Sequence, residues 1–229
     1  MALIINIETA TAVCSAALGR DGEVIAFRET TEPNSHSLML GTFIKEVLEE
    51  AGITSAELDA VAVSSGPGSY TGLRIGVSMA KGLAYSLNIP LIAVPTLKAM
   101  ANGIRQDYGD ARFLIPMIDA RRMEVYAAVF LATLDEVEAV KPVVVDGDSF
   151  GDYLQKGKTV FFGDGAAKCK TVIHSENAVF AVGGFPSARS MAPLSNEMFL
   201  HNNFEDTAYF EPFYLKEFQA KISKIKGLR

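Results

Sequence analysis

Residues 64–76, reading SSGPGSYTGLRIG, hold the densest set of chemically useful groups in the chain. Gly66 and Gly68 admit backbone angles closed to other residues, and Ser69 or Thr71 can cap a helix that follows. Free N–H groups at such a helix start suit an anion. The segment is not a Walker loop, because no Lys-Ser/Thr pair follows the glycines at the required spacing. The competing reading is a tight turn shaped only by packing. Elsewhere the chemistry thins out. There is no GxSxG elbow, and His36, His174 and His201 lie far apart without acidic or cysteine companions at ligand spacing. Cys14 and Cys169 form no CxxC or Cys/His cluster. The sequence therefore offers no recognisable nucleophile-base pair and no metal site.

The glycine turn sits between a buried strand, AVAVSS, and a helix expected from about Thr71 to Leu87, with the strand PLIAVP beyond. Before it, LIINIE, AVCSAAL and EVIAFRE, with the turn Gly19-Arg20-Asp21-Gly22, predict a three-stranded antiparallel opening. Leu40, Phe43, Ile44, Val47, Leu48 and Ala51 recur at helical spacing, with Asn34 or Ser35 as cap and Gly52 as stop. A natural limit falls near Ile104. The stretch FLIPMIDARRMEVYAAVF predicts two more strands around a polar Asp119 to Arg122 turn, followed by strands in VVVDG, TVFFGDG and AVFAV. A last helix should span Ser187 to Leu200, with Pro193 tolerable near its first turns or at a kink.

The chain has 229 residues, 49% apolar, and a net charge of −6, so it can bury one large core or two small ones. A pI near 5.2 opposes stand-alone nucleic-acid binding, which depends on lysine and arginine. The exception is the basic stretch from Lys216 to Arg229, with Lys221, Lys224 and Lys226, which also reads as a solvated tail. The opening resembles a strand rather than a signal peptide, and the longest apolar run, from Val125 to Leu134, is too short for a membrane helix. With two distant cysteines, a reduced cytoplasmic setting is expected.

A docking surface is also expected on the two helices of the first half. Gly72, Gly76, Ala80 and Ala84 form a thin i, i+4 track that lets another helix approach closely. Leu38 and Met39 stand apart from the apolar stripe of their helix. The alternative is that these residues cover the chain's own loops.

The string at residues 64–76 resembles the signature of the TsaB family, and other segments agree. IINIETAT resembles the family's acidic-Thr-Ala/Ser start, SHSLML its first-helix start, IDARRMEVYA its second-domain opening and EPFYL its C-terminal signature. Glu8 stands where many relatives carry Asp. The resemblance implies the α/β actin-like, sugar-kinase-like (ASKHA) fold: two related lobes with mixed sheets, residues 1–104 and a degenerate 105–229. In such folds the first hairpin and the glycine turn face nucleotide phosphates, so the implied remnant site is Glu8, Thr9, Gly66, Gly68, Ser69, Thr71 and Gly72. GDGAA at residues 163–167 and the pair Gly183-Gly184 are weak candidates for base-binding turns. The related TsaD carries an HxxxH metal motif, and in VPTLKAM its places are taken by Thr96 and Met100.

The function implied is that of a non-catalytic partner of a TsaD-like subunit, which transfers threonylcarbamoyl to the adenosine beside the tRNA anticodon, joined by a TsaE-like ATPase. The tRNA would be met through the complex, ATP or ADP and Mg held only within it, and the chain would form a homodimer when alone. The runner-up is a stand-alone ATP-dependent kinase or ATPase, with Glu8 or Asp119 as candidate acid. A glycoprotease-like peptidase is the least supported, having lost the histidine pair.

Overall fold

The computed structural model describes residues 1–32 and 35–216, arranged as two mixed-sheet α/β lobes. β1 (Leu3–Glu8), β2 (Cys14–Arg20) and β3 (Glu23–Thr30) form the expected antiparallel opening. Asp21 and Gly22 turn the second hairpin with φ of 52° and 88°, the left-handed angles a two-residue connection needs. β4 (Ala60–Ser64) pairs parallel with β1, and β5 (Leu91–Val94) with β4, giving the order β3-β2-β1-β4-β5.

α1 (His36–Ala51) and α2 (Tyr70–Leu87) cover one face of this sheet, burying Leu40, Phe43, Val47 and Val77 on Ile5, Ile7, Val61 and Val63. Gly52 ends α1 at φ 65°. Ser35 occupies the N-cap position, but its hydroxyl makes no capping bond and is buried without a partner. Asn34, the other expected cap, lies outside the described residues. Ser69 does cap α2, accepting from the Gly72 N–H at 3.3 Å. α3 (Thr96–Ile104) lies on the opposite face.

The second lobe repeats the scheme. β6 (Phe113–Asp119), β7 (Glu124–Leu131) and β8 (Glu136–Val144) are antiparallel, and β9 (Thr159–Phe162) and β10 (Ala178–Phe180) add in parallel on the other side of β6. Its order, β10-β9-β6-β7-β8, is that of the first sheet with β6 in the place of β1. The crossovers differ: α4 (Gly151–Leu154) and α5 (Ala166–Cys169) have 4 residues each, against 16 and 18 in α1 and α2. Loss of those helices is what makes this lobe degenerate.

α6 (Ala188–Leu200) corrects the expected division at residue 104. Its Met191 and Leu194 pack with Ile4, Ala62 and Ile92 of the first sheet and with Leu97 and Met100 of α3. Residues 204–213 follow it onto the first lobe, where the Glu205 N–H donates to the Leu91 carbonyl at 2.8 Å and the Phe213 N–H to the Ser65 carbonyl at 2.7 Å. β1 is thus buried on both faces, with α1 and α2 on one side and α6 on the other. Of the basic stretch, only Lys216 lies within the described residues. Among those residues no helix is long and apolar enough to cross a membrane.

Candidate cleft and docking face

β1 carries Glu8 and Thr9 to the head of β4 and the start of α2. Glu8 is fully buried, and its Oε1 accepts from the Ala10 N–H at 2.5 Å and the Ser64 hydroxyl at 2.8 Å, while Oε2 has no partner. Burial raises its carboxyl to about 7, against the pull of these hydrogen bonds. The Thr9 hydroxyl donates to the Gly72 carbonyl at 2.8 Å, and the Ser69 N–H donates to the Ala10 carbonyl at 2.6 Å. A Cβ added at Gly68 would stand 2.3 Å from the Ala10 carbonyl oxygen; at Gly72 it would stand 2.1 Å from that of Thr9, and at Gly76 2.2 Å from the Thr9 hydroxyl. The glycines form a seat for the chain's own first hairpin loop.

Between the lobes lies a cleft of about 960 Å³. The first lobe lines it with His36 and with Gly68, Ser69, Thr71 and Gly72; the second adds Asp119, Arg121, Arg122, Glu124 and Asp164. Of the residues expected in a remnant site, Glu8, Thr9 and Gly66 lie behind this surface rather than on it. Gly66, at φ 108°, instead receives the C-terminal segment: a Cβ there would stand 2.6 Å from the Phe213 carbonyl oxygen. Arg121 and Arg122, unremarked as site residues in the sequence beyond their turn, hold left-handed φ of 72° and 49° at the cleft mouth. Lys168 fixes this hairpin by pairing with Asp119 and donating to the Glu124 carbonyl at 2.6 Å. Burial raises the Asp164 carboxyl, while backbone N–H donors oppose the rise.

These residues do not fit the phosphate cradle that the fold implies. The Ser69 amide is already bonded to Ala10, the hairpin loop takes up the Cβ sides of Gly68 and Gly72 while their other sides line the cleft, and Glu8 does not reach the cleft. The second-lobe glycines also serve packing: a Cβ at Gly163 would stand 2.4 Å from the Met117 carbonyl oxygen, and one at Gly184 2.6 Å from the Phe162 ring. Thr96 is buried and accepts from the Gly66 N–H at 3.0 Å, and Met100 lies in the core. His36 Nε2 sits 2.9 Å from the Thr11 carbonyl oxygen, and His174 and His201 are exposed. Among the described residues no group of three or more His, Cys, Asp or Glu is placed to hold a metal.

The thin track on α2 also needs correction. Gly72, Gly76, Ala80 and Ala84 are all buried within the lobe, so the close approach they permit is used by Thr9 and the first sheet. Periodicity showed a thin face without showing which body lay on it. Met39 is half-buried against the same core, whereas Leu38 is 76% exposed. What α1 and α2 present outward is a shallow groove of about 870 Å³, with Ile75, Met79 and Leu83 among its walls and Arg74 and Ser78 beside them.

The chain is 34% identical over 224 residues to the tRNA threonylcarbamoyladenosine biosynthesis protein TsaB of Escherichia coli (strain K12), covering 93% of this chain and 94% of that one. The chain belongs to the TsaB family. A second TsaB, from Bacillus subtilis (strain 168), is 36% identical over 230 residues, with 98% of each chain covered. The family model described as "TsaD: tRNA N6-adenosine threonylcarbamoyltransferase" matches residues 30–224, which places this TsaB-family chain in the same wider group. The solved structure of YeaZ from Pseudomonas aeruginosa superposes with a TM-score of 0.82 at 23% identity, covering 94% of this chain and 100% of that one, and shares the two-lobed fold.

Proposed function

We propose that this TsaB-family chain works in tRNA threonylcarbamoyladenosine biosynthesis as a non-catalytic partner of a TsaD-like transferase, together with a TsaE-like ATPase. The observation that supports this reading is the hairpin loop seated on the glycine turn, which engages the Ser69 amide and leaves Glu8 without access to the cleft. ATP or ADP with Mg, and the tRNA, are then held by the assembly rather than by this chain alone. The groove on α1 and α2, with exposed Leu38 beside it, is the face offered to the TsaD-like subunit and, in its absence, to a second copy. A specific complex should bury at least about 1,000 Å² there.

Threonylcarbamoyl transfer to tRNA and ATP turnover, measured for this protein alone and then with the two partners added, test the role. Activity should depend on the partners. Leu38→Glu combined with Ser78→Glu should leave folding intact, since both side chains are exposed, and should abolish co-elution with the TsaD-like subunit. Wild-type association by this variant would move the interface elsewhere. The stand-alone ATPase reading draws support from the size of the inter-lobe cleft, and ATP turnover by the protein alone would favour it.

A further inference from the structure

We infer that residues 214–216 form a latch across the inter-lobe cleft, whose release opens the cleft without unfolding either lobe. Residues 204–213 are tied to the first lobe through backbone atoms. Glu205 and Phe213 donate to the Leu91 and Ser65 carbonyls, and the Lys81 ammonium of α2 binds the Ala208 and Phe210 carbonyls, each at 3.0 Å. Gly66 adds a seat for the Phe213 carbonyl.

Beyond Phe213 the manner of attachment changes. The Tyr214 ring rests on that of Tyr70, the first residue of α2, with centroids 4.8 Å apart, and the Arg74 guanidinium lies 4.3 Å from the centre of the Tyr70 ring. Lys216 then reaches the other lobe and pairs with Glu124. Tyr214, Leu215 and Lys216 all line the cleft. The chain thus crosses from one lobe to the other, held at each side by side-chain contacts.

The two anchors are stiff and the grip is weak. Glu124 belongs to a hairpin pinned by Lys168, and Tyr70 starts a helix of 18 residues. The Lys216–Glu124 pair has side chains 46% and 22% exposed, so water and salt screen it, and the Tyr214 ring adds one aromatic contact. Contacts of this size open reversibly while the backbone bonds upstream of Tyr214 hold the strap in place. On opening, the half-buried Tyr70 and Glu124, one on each lobe, gain solvent together. The Tyr70–Arg74 anchor also borders the groove on α2, so the device is tested on the protein alone, with no partner present.

Amide hydrogen exchange is measured for the wild type, Lys216→Ala, Lys216→Arg, and Tyr214→Ala combined with Lys216→Ala. In the double variant, amides of residues 69–75 and 120–124 should exchange about tenfold faster, the size expected from losing two weak side-chain contacts. Those of β1 and β6 should be unchanged. Lys216→Ala should show a smaller rise in the same two segments, Lys216→Arg none, and salt of about 1 M should reproduce the Lys216→Ala pattern in the wild type. Wild-type protection in both segments of the double variant overturns the latch. So does a loss of protection spread evenly through β1 and β6, which marks general destabilisation.

Discussion

Thr9 and Gly72, 63 residues apart in sequence, are joined by a 2.8 Å hydrogen bond from the threonine hydroxyl to the glycine carbonyl. The approach is possible because Gly76, one turn further along α2, carries no side chain where that hydroxyl sits. A bond to the backbone of a helix fixes both the hairpin loop and the helix start, and it settles how the glycine turn is used. The Cβ sides of Gly68, Gly72 and Gly76 are taken up by atoms of the hairpin loop.

Two glycines of α2 should therefore respond in opposite directions to the same change. Gly76→Ala places a methyl against Thr9 and should cost about 1–3 kcal/mol by overpacking. Gly82→Ala meets nothing within 4 Å in an exposed part of the helix and should stabilise by about 0.5–1 kcal/mol. Urea unfolding of the two variants measures both, and equal effects would mean that the seat described for Thr9 is not under load.

Glu8 should make stability depend on pH. Its carboxyl titrates at about 7 in the folded chain against 4.5 for the ordinary group, so the folded state holds the proton more tightly. The stability it contributes is full below pH 4.5 and is lost as the pH rises through 7. Glu8→Gln removes this dependence. At about pH 8 the variant should be more stable than the parent by up to about 3 kcal/mol, since each tenfold difference in proton affinity is worth about 1.36 kcal/mol, while near pH 4 the two should be similar. Unfolding curves at several pH values read the difference, and a parent whose stability does not fall between the two values would count against a protonated Glu8.

Metal and nucleotide should both bind poorly to the protein alone. Thr96 and Met100 are committed to the core, and the Ser69 amide to Ala10. Elemental analysis after chelator treatment should find no stoichiometric zinc or iron, with the melting temperature unchanged. Calorimetry should find no submicromolar ATP affinity; stoichiometric metal, or tight ATP binding in the inter-lobe cleft, would overturn this.

The first lobe could be read from sequence because its signals are local. Alternation through LIINIE and AVCSAAL, the Asp21-Gly22 turn and the apolar spacing from Leu40 to Ala51 each declare an element within a few residues. β8 is legible only at its end, since EVEAVKP is a mostly exposed edge strand carrying charges and Pro142, which pattern rules read as loop. α4 and α5, at four residues, are too short to show a helical period. The site was harder, because its features depend on segments far apart in sequence. Gly66 and Gly68 announce a special turn, but nothing near them says that Phe213 and Ala10 are what they accommodate. Nor does any local pattern reveal that Glu8 is turned inward, away from the cleft.

The return of α6 to the first sheet bears on how the chain is made. β1 is synthesised early, yet the face carrying Ile4 stays uncovered by Met191 and Leu194 until both sheets have been translated. The first lobe therefore cannot mature while the second is still emerging from the ribosome, and its apolar sheet face is open to wrong partners during that interval. Contacts between such distant segments also slow folding, because a long loop must close before they are rewarded. Arrival of α6, rather than completion of either sheet, is what closes the second face of the first sheet.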